Sequence, residues 1–163
     1  MTLMPKIELI QTKKLIGQRL EMSMQLNKTA DLWKQFMPRR NEVVSKISSD
    51  FISLQVYPSL YFENYNSSTV FEKWALVEVS DFNNVSPDME TLILSEGLYA
   101  VFTYKKSEWD AQTFFKYIFT EWLPKSEYKL DNRPHFEVLG KKYSKDDPDS
   151  EEEVYIPVKL ANH

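Results

Sequence analysis

The chain has 163 residues, enough for one domain with a substantial core, and its hydrophobic share of 42% is ordinary for a globular protein. A net charge of −4 disfavours a nucleic-acid surface, 3 glycines leave little room for phosphate-cradling loops, and the lack of cysteine excludes disulfide and thiolate chemistry. The aromatic share of 14% is high, and imidazole comes only from His135 and His163, so neither a His-based metal site nor a cofactor is expected. No apolar run approaches the ~20 residues of a membrane helix. Met1 to Lys6 lacks a signal-peptide apolar region, so a cytoplasmic protein away from membranes is expected.

Lys6 to Thr12 reads as a short lead-in. Lys14 to Ser23 alternates as a half-buried strand, with Ile16, Leu20 and Met22 on one parity, and Gly17 marks a bulge or a close backbone approach. Asn27 or Thr29 can cap the helix that follows, whose apolar face is Leu32, Trp33, Phe36 and Met37, and Pro38 ends or kinks it. Phe51 to Tyr57 alternates with Ile52, Leu54 and Val56 inward. Ser59 to Thr69 is a polar loop whose Tyr61, Phe62 and Tyr65 suit either a pocket rim or packing over the core. Lys73 to Val79 is a strand with Trp74, Leu76 and Glu78 on one face, followed by a turn-rich loop from Ser80 to Asp88.

The second half repeats that order. Met89 to Leu94 is a lead-in strand and Gly97 to Tyr104 a long apolar one. Ser107 with Asp110 opens a capped helix over Glu108 to Trp122, striped by Ala111, Phe114, Phe115, Ile118 and Trp122 and broken at Pro124. After a polar loop, His135 to Leu139 forms a strand, Asp146 to Glu153 an acidic loop without the glycine of a calcium site, and Val154 to Lys159 the last strand. The expected fold is α+β, with two pseudo-symmetric strand-helix-strand-strand repeats (about 13–80 and 89–160) in a single domain spanning 1–163. Antiparallel strands would carry both helices on one face, with a groove for a ligand between the halves.

Glu137, set between Phe136 and Val138, is the most suggestive single residue. In a pocket it would attract a cation, because a desolvated carboxylate is costly until paired and aromatic faces add to the attraction. On an edge strand it would face solvent or pair with Arg133 or a lysine, and pattern alone favours that blander reading. Glu78, beside Trp74, carries the same ambiguity. The sequence contains no nucleophile elbow, phosphate loop or dinucleotide fingerprint.

The run Glu121-Trp122-Leu123-Pro124-x-Ser126-x-Tyr128-x-Leu130-Asp131-x-Arg133-Pro134-His135-Phe136-Glu137 resembles the GyrI-like small-molecule-binding family. That family includes the effector-binding domain of multidrug-responsive transcription activators. Leu32-Trp33-x-x-Phe36-Met37-Pro38-Arg39, Gly97-Leu98-Tyr99-Ala100-Val101-Phe102 and Tyr155-Ile156-Pro157-Val158 extend the resemblance from about Lys13 to Lys159. It implies a cleft between the repeats for a small amphipathic, often cationic ligand, with the pocket glutamate at Glu137 and a pocket aromatic at Tyr155. Tyr99 and Trp122 would be further walls, and Trp33, Phe36, Trp74 and Glu78 complete the candidate lining, while the helical spacing of Trp33, Phe36 and Trp122 by itself favours the core. It also leaves open hydrolysis of cyclopropane-containing electrophilic toxins, with Glu137 as base and Tyr155 as hydrogen-bond donor. A third possibility is an interaction with a protein partner such as gyrase or a transcription regulator. No residues remain for a helix-turn-helix, so direct DNA binding is not expected.

Overall fold

The computed structural model describes residues 3–161, so His163 lies outside the described residues. The strands are β1 (Lys6–Ile10), β2 (Lys13–Met22), β3 (Phe51–Val56), β4 (Phe71–Val79), β5 (Glu90–Leu94), β6 (Gly97–Lys105), β7 (Tyr128–Leu130), β8 (His135–Leu139) and β9 (Glu151–Leu160). They form a 9-stranded sheet in the order β1-β6-β9-β8-β3-β4-β2-β5, with β7 attached to β9, and every pairing is antiparallel. The expected α+β architecture is present. Strands β6-β9-β8 mirror β2-β4-β3, and the pseudo-twofold axis runs through the β3–β8 seam.

The lead-in strands are exchanged: β1 pairs with β6, and β5 pairs with β2. Strand β1 is joined to β2 through just Gln11 and Thr12, although six inter-strand steps separate them in the sheet. A flat sheet would hold these strands about 29 Å apart, while the link from Ile10 to Lys13 spans at most ~11 Å. The sheet must therefore curl until its ends meet. Its inner face closes on Leu15, Leu54, Trp74, Leu76, Tyr99, Val101 and Phe136, which come from both halves.

Both helices pack on the outer face. Helix α1 (Thr29–Phe36) buries Leu32 and Phe36 against Ile16, Ala75, Val77 and Val79. Asn27 precedes its first turn, and the Asn27 Oδ1 accepts from the Thr29 N–H at 2.9 Å. At Pro38 the coil tightens into a 3-10 segment, Met37–Glu42. Helix α2 (Ala111–Tyr117) is capped by Asp110, which accepts from the Thr113 N–H at 2.8 Å, and buries Phe114 and Ile118 against Ala100, Phe102, Val154 and Ile156.

Four local expectations are corrected. The second helix does not break at Pro124. It widens into a π segment at Ile118–Trp122 and ends with one α turn, α3 (Leu123–Lys125), in which Pro124 occupies the first turn, where its missing N–H costs little. It also begins later than Glu108, because the extended Asp110 delays the first turn. The polar loop after it contains β7, and β9 begins at Glu151, so the acidic residues Glu151 to Glu153 belong to a strand paired with β6. Of the two readings offered for Gly17 the close approach holds, since β2 runs in continuous register with β4 and a Cβ there would meet the Ala75 carbonyl oxygen at 1.8 Å.

Candidate functional site

On the helix-bearing face, the strands between α1 and α2 carry polar side chains where their neighbours carry core residues. Ser53 and Gln55 on β3, Lys73 on β4, His135 and Glu137 on β8, and Glu152 on β9 share this face through the register Lys73–Gln55–His135 and Ala75–Ser53–Glu137–Val154. The helices stand on either side and leave a cleft over the central seam. Its two adjoining lobes have volumes of about 600 Å³ and 620 Å³, and Glu137 and Thr29 line both. This is the size range of small-molecule sites.

Each helix builds its wall in the same way. Leu32, Phe36, Phe114 and Ile118 point down into the core. The residues one position later are rotated by about 100° around the helix, which turns them towards the cleft. Trp33 and Met37 thus line the α1 side, and Phe115 and Phe119 the α2 side. Phe119 and Thr120 enter from the π segment, a widening common at functional sites. The loop after β3 closes one end: Phe62 stacks on Phe119 (4.9 Å between centroids, 20° between planes) and on His135 (5.2 Å, 26°), while Tyr57 meets His135 edge-on at 4.9 Å.

The floor is electrostatically mixed. Burial pushes the Glu137 carboxyl above the usual range, against the nearby Lys73 and a hydrogen bond donated by Gln55 Nε2 to Glu137 Oε1 at 3.3 Å. Glu152 is pushed up to about 7 by burial and by Glu137, with Lys73 opposing. Lys73 is 9% exposed, and burial holds its amine below the ordinary lysine range despite the fields of Glu137 and Glu152. His135 falls to about 3 through burial and the positive Arg133, so at neutral pH its ring is an uncharged flat surface. Arg133 does not pair with Glu137. It donates to Asp131 at 2.6 Å and to the carbonyls of Leu98 and Val158, and stacks over Tyr99.

Of the eight candidates named from the sequence, the structure brings Glu137 and Trp33 to the cleft. Tyr155 stands opposite Phe136 and stacks on it at 4.3 Å on the inner face, whereas Glu137 stands opposite Val154 on the outer face. There Tyr155 donates to Glu153 at 3.1 Å and lines a separate hollow with Asp50, Val138 and Lys142. Glu137 and Tyr155 therefore cannot act on one substrate atom as base and donor, because a β-sheet separates them. Tyr99 is buried in the inner core and donates to the Pro134 carbonyl at 2.9 Å. Trp74 belongs to the same core, and Glu78, on its parity, pairs with Lys13 at 3.2 Å. Phe36 is fully buried beneath α1, and Trp122 packs edge-on against Phe102 at 5.3 Å. Sequence reading missed Gln55, Lys73, His135, Glu152, Tyr57 and Phe119. The available signal was an interruption of parity: polar residues at Ser53, Gln55 and Lys73 fall in register with Phe51, Ala75 and Val77, which face the helices. Among the described residues, no group of three or more His, Cys, Asp or Glu is placed to hold a metal ion, and no helix is long and apolar enough to cross a membrane.

A curled antiparallel sheet with a ligand-sized, aromatic-walled cleft between paired helices defines a small-molecule-binding domain. The family model for the GyrI-like small molecule binding domain matches residues 3–159, and the chain belongs to that family. No curated protein matches it in sequence. Among solved structures it resembles SAV2435 bound to tetraphenylphosphonium, with 14% identity, a TM-score of 0.69 and coverage of 98% of this chain and 94% of that one. It also resembles the EcmrR C-terminal domain (13% identity, TM-score 0.72, 99% and 100% covered). A hydrolase encoded by lin2189 from Listeria innocua is similar at 8% identity and a TM-score of 0.59, with 96% and 92% covered. At such identities the likeness is one of fold.

Proposed function

We propose that the chain binds amphipathic organic cations in the cleft between α1 and α2, with Glu137 as the counter-charge. The position of Glu137 carries this reading: it sits at the junction of both lobes, with a single hydrogen bond from Gln55 among the described residues. A carboxylate so placed pays a desolvation cost that an incoming cation removes, and the surrounding rings add cation–π attraction. SAV2435, of similar fold, is bound to tetraphenylphosphonium, a cation of this kind. The chain's net charge of −4 opposes contact with DNA, so a regulatory effect of ligand binding would pass through a protein partner.

Calorimetry with tetraphenylphosphonium and the neutral triphenylphosphine oxide tests the proposal. Glu137→Gln is expected to weaken the phosphonium by ~2–5 kcal/mol, the usual cost of breaking a desolvated charge pair, and to leave the neutral ligand nearly unchanged. Equal losses for both would reduce Glu137 to a shape-holding role. Absence of phosphonium binding by the wild-type chain would overturn the reading.

A further inference from the structure

We propose that Lys73 is a nucleophilic amine that condenses with aromatic aldehydes entering the cleft and holds them as an imine. Lys73 lies on β4 opposite Gln55, faces the lobe bounded by Tyr57, Phe71, Phe115 and Phe119, and is 9% exposed. Neither a hydrogen bond nor an ion pair reaches its amine among the described residues, although Glu137 and Glu152 act on it through space. Other lysines are engaged differently: Lys13 pairs with Glu78, Lys105 and Lys142 with Glu151, Lys125 with Glu121, and Lys159 with Asp131. A paired or solvated ammonium stays protonated and inert, whereas an amine withdrawn from water among aromatic rings holds a larger neutral fraction and becomes a nucleophile towards carbonyls.

The chemistry balances without a redox partner. Neutral Nζ adds to the carbonyl carbon, the π pair moves to oxygen, and proton transfer from nitrogen to oxygen gives the carbinolamine. Protonation of its hydroxyl expels water and leaves the C=N bond, so amine plus aldehyde becomes imine plus water. Glu137, which lines the same lobe as Lys73 and whose carboxyl burial pushes above the usual range, can supply that proton and take it back. The lining sets the class of aldehyde, because a flat ring gains from burial between Phe115, Phe119 and Tyr57 and a small hydrophilic aldehyde does not.

The test uses the full chain at neutral pH with 2-naphthaldehyde and sodium cyanoborohydride, followed by peptide mapping in a mass spectrometer. One reduced adduct per chain is expected on the Lys73 peptide, formed at least ~10-fold faster than at any other lysine, as a buried neutral amine requires. Lys73→Arg, which keeps a cation without the nucleophile, should remove that adduct, and glyoxylate should show no preference for the site. Label spread over exposed lysines, with Lys73 unmodified or no faster than the rest, overturns the proposal whether or not the arginine variant folds. Phosphonium titration of the wild-type chain is read in parallel, which separates failure here from failure of the cation site: adduct on Lys73 without phosphonium binding upholds this proposal and overturns the cation site, and phosphonium binding without the adduct does the reverse.

Discussion

Three ionisable groups on one stretch of sheet face govern the cleft, and their burial matters more than their number. Glu137 and Glu152 are both raised and Lys73 is lowered, so every one of them is pushed towards its uncharged form. Glu152, at about 7, titrates closest to neutrality. A bound cation favours its ionised form, so protons and cation compete, and phosphonium affinity should rise between pH 6 and pH 8. A one-unit drop in the Glu152 pKa on binding corresponds to about tenfold in affinity. Rising pH also favours loss of protons from Lys73 and Glu137, both of which act in the same direction. Glu152→Gln isolates the Glu152 share: titration calorimetry at the two pH values should show a flatter dependence in that variant, and an unchanged slope would assign the effect to Glu137 or Lys73. At this scale Glu137 was legible through the family resemblance, but Tyr155 was not placed correctly. Phe136 and Glu137 are adjacent in sequence and point to opposite faces, and pairing decides which of them shares a face with Tyr155.

Within the elements, alternation and helical spacing located β2, β3, β4, β6, α1 and α2 to within a few residues, because each buries one face against a continuous apolar partner. The short β7 escaped notice, since its three residues become a strand through pairing with β9. Gly17 shows what a central strand tolerates. A methyl group there would run into the Ala75 carbonyl at 1.8 Å, an atom that cannot move without disturbing the β2–β4 ladder. Gly17→Ala should destabilise the chain by roughly 2 kcal/mol or more, which lowers Tm by several degrees in a protein of this size. Gly140→Ala is the matched control: its nearest neighbour would be a carboxylate oxygen of Asp50 at 3.4 Å, and its Tm should stay close to wild type. Circular dichroism melts of the two variants make the comparison.

For the whole molecule, the exchange of β1 and β5 between the halves ties each repeat to the other. The inner core draws Leu15, Leu54 and Trp74 from the first half and Tyr99, Val101 and Phe136 from the second. Neither half can bury its inner face alone, so unfolding should be a single cooperative transition with calorimetric and van't Hoff enthalpies in agreement. Two resolved transitions, or a folded isolated half, would show that the repeats are independent domains. The same arrangement places the cleft over the β3–β8 seam, where the two halves meet, so ligand binding should raise that single transition as a whole.

Periodicity is a local property of the chain, so the sequence by itself determined which segments are strands or helices, which faces are apolar, and that two similar halves follow one another. The family run around Glu137 added the pocket carboxylate. Which faces meet is a non-local matter. The curl of the sheet hides one parity of every central strand in a common inner core, and with it Tyr99, Trp74 and Tyr155. The other parity lies under the helices, so Gln55, Lys73 and His135, to which the sequence assigned no role, become the floor of a cleft. The tertiary structure decided this because burial depends on which strands close the sheet, and the two-residue links at Gln11-Thr12 and Ser95-Glu96 do that by joining opposite ends.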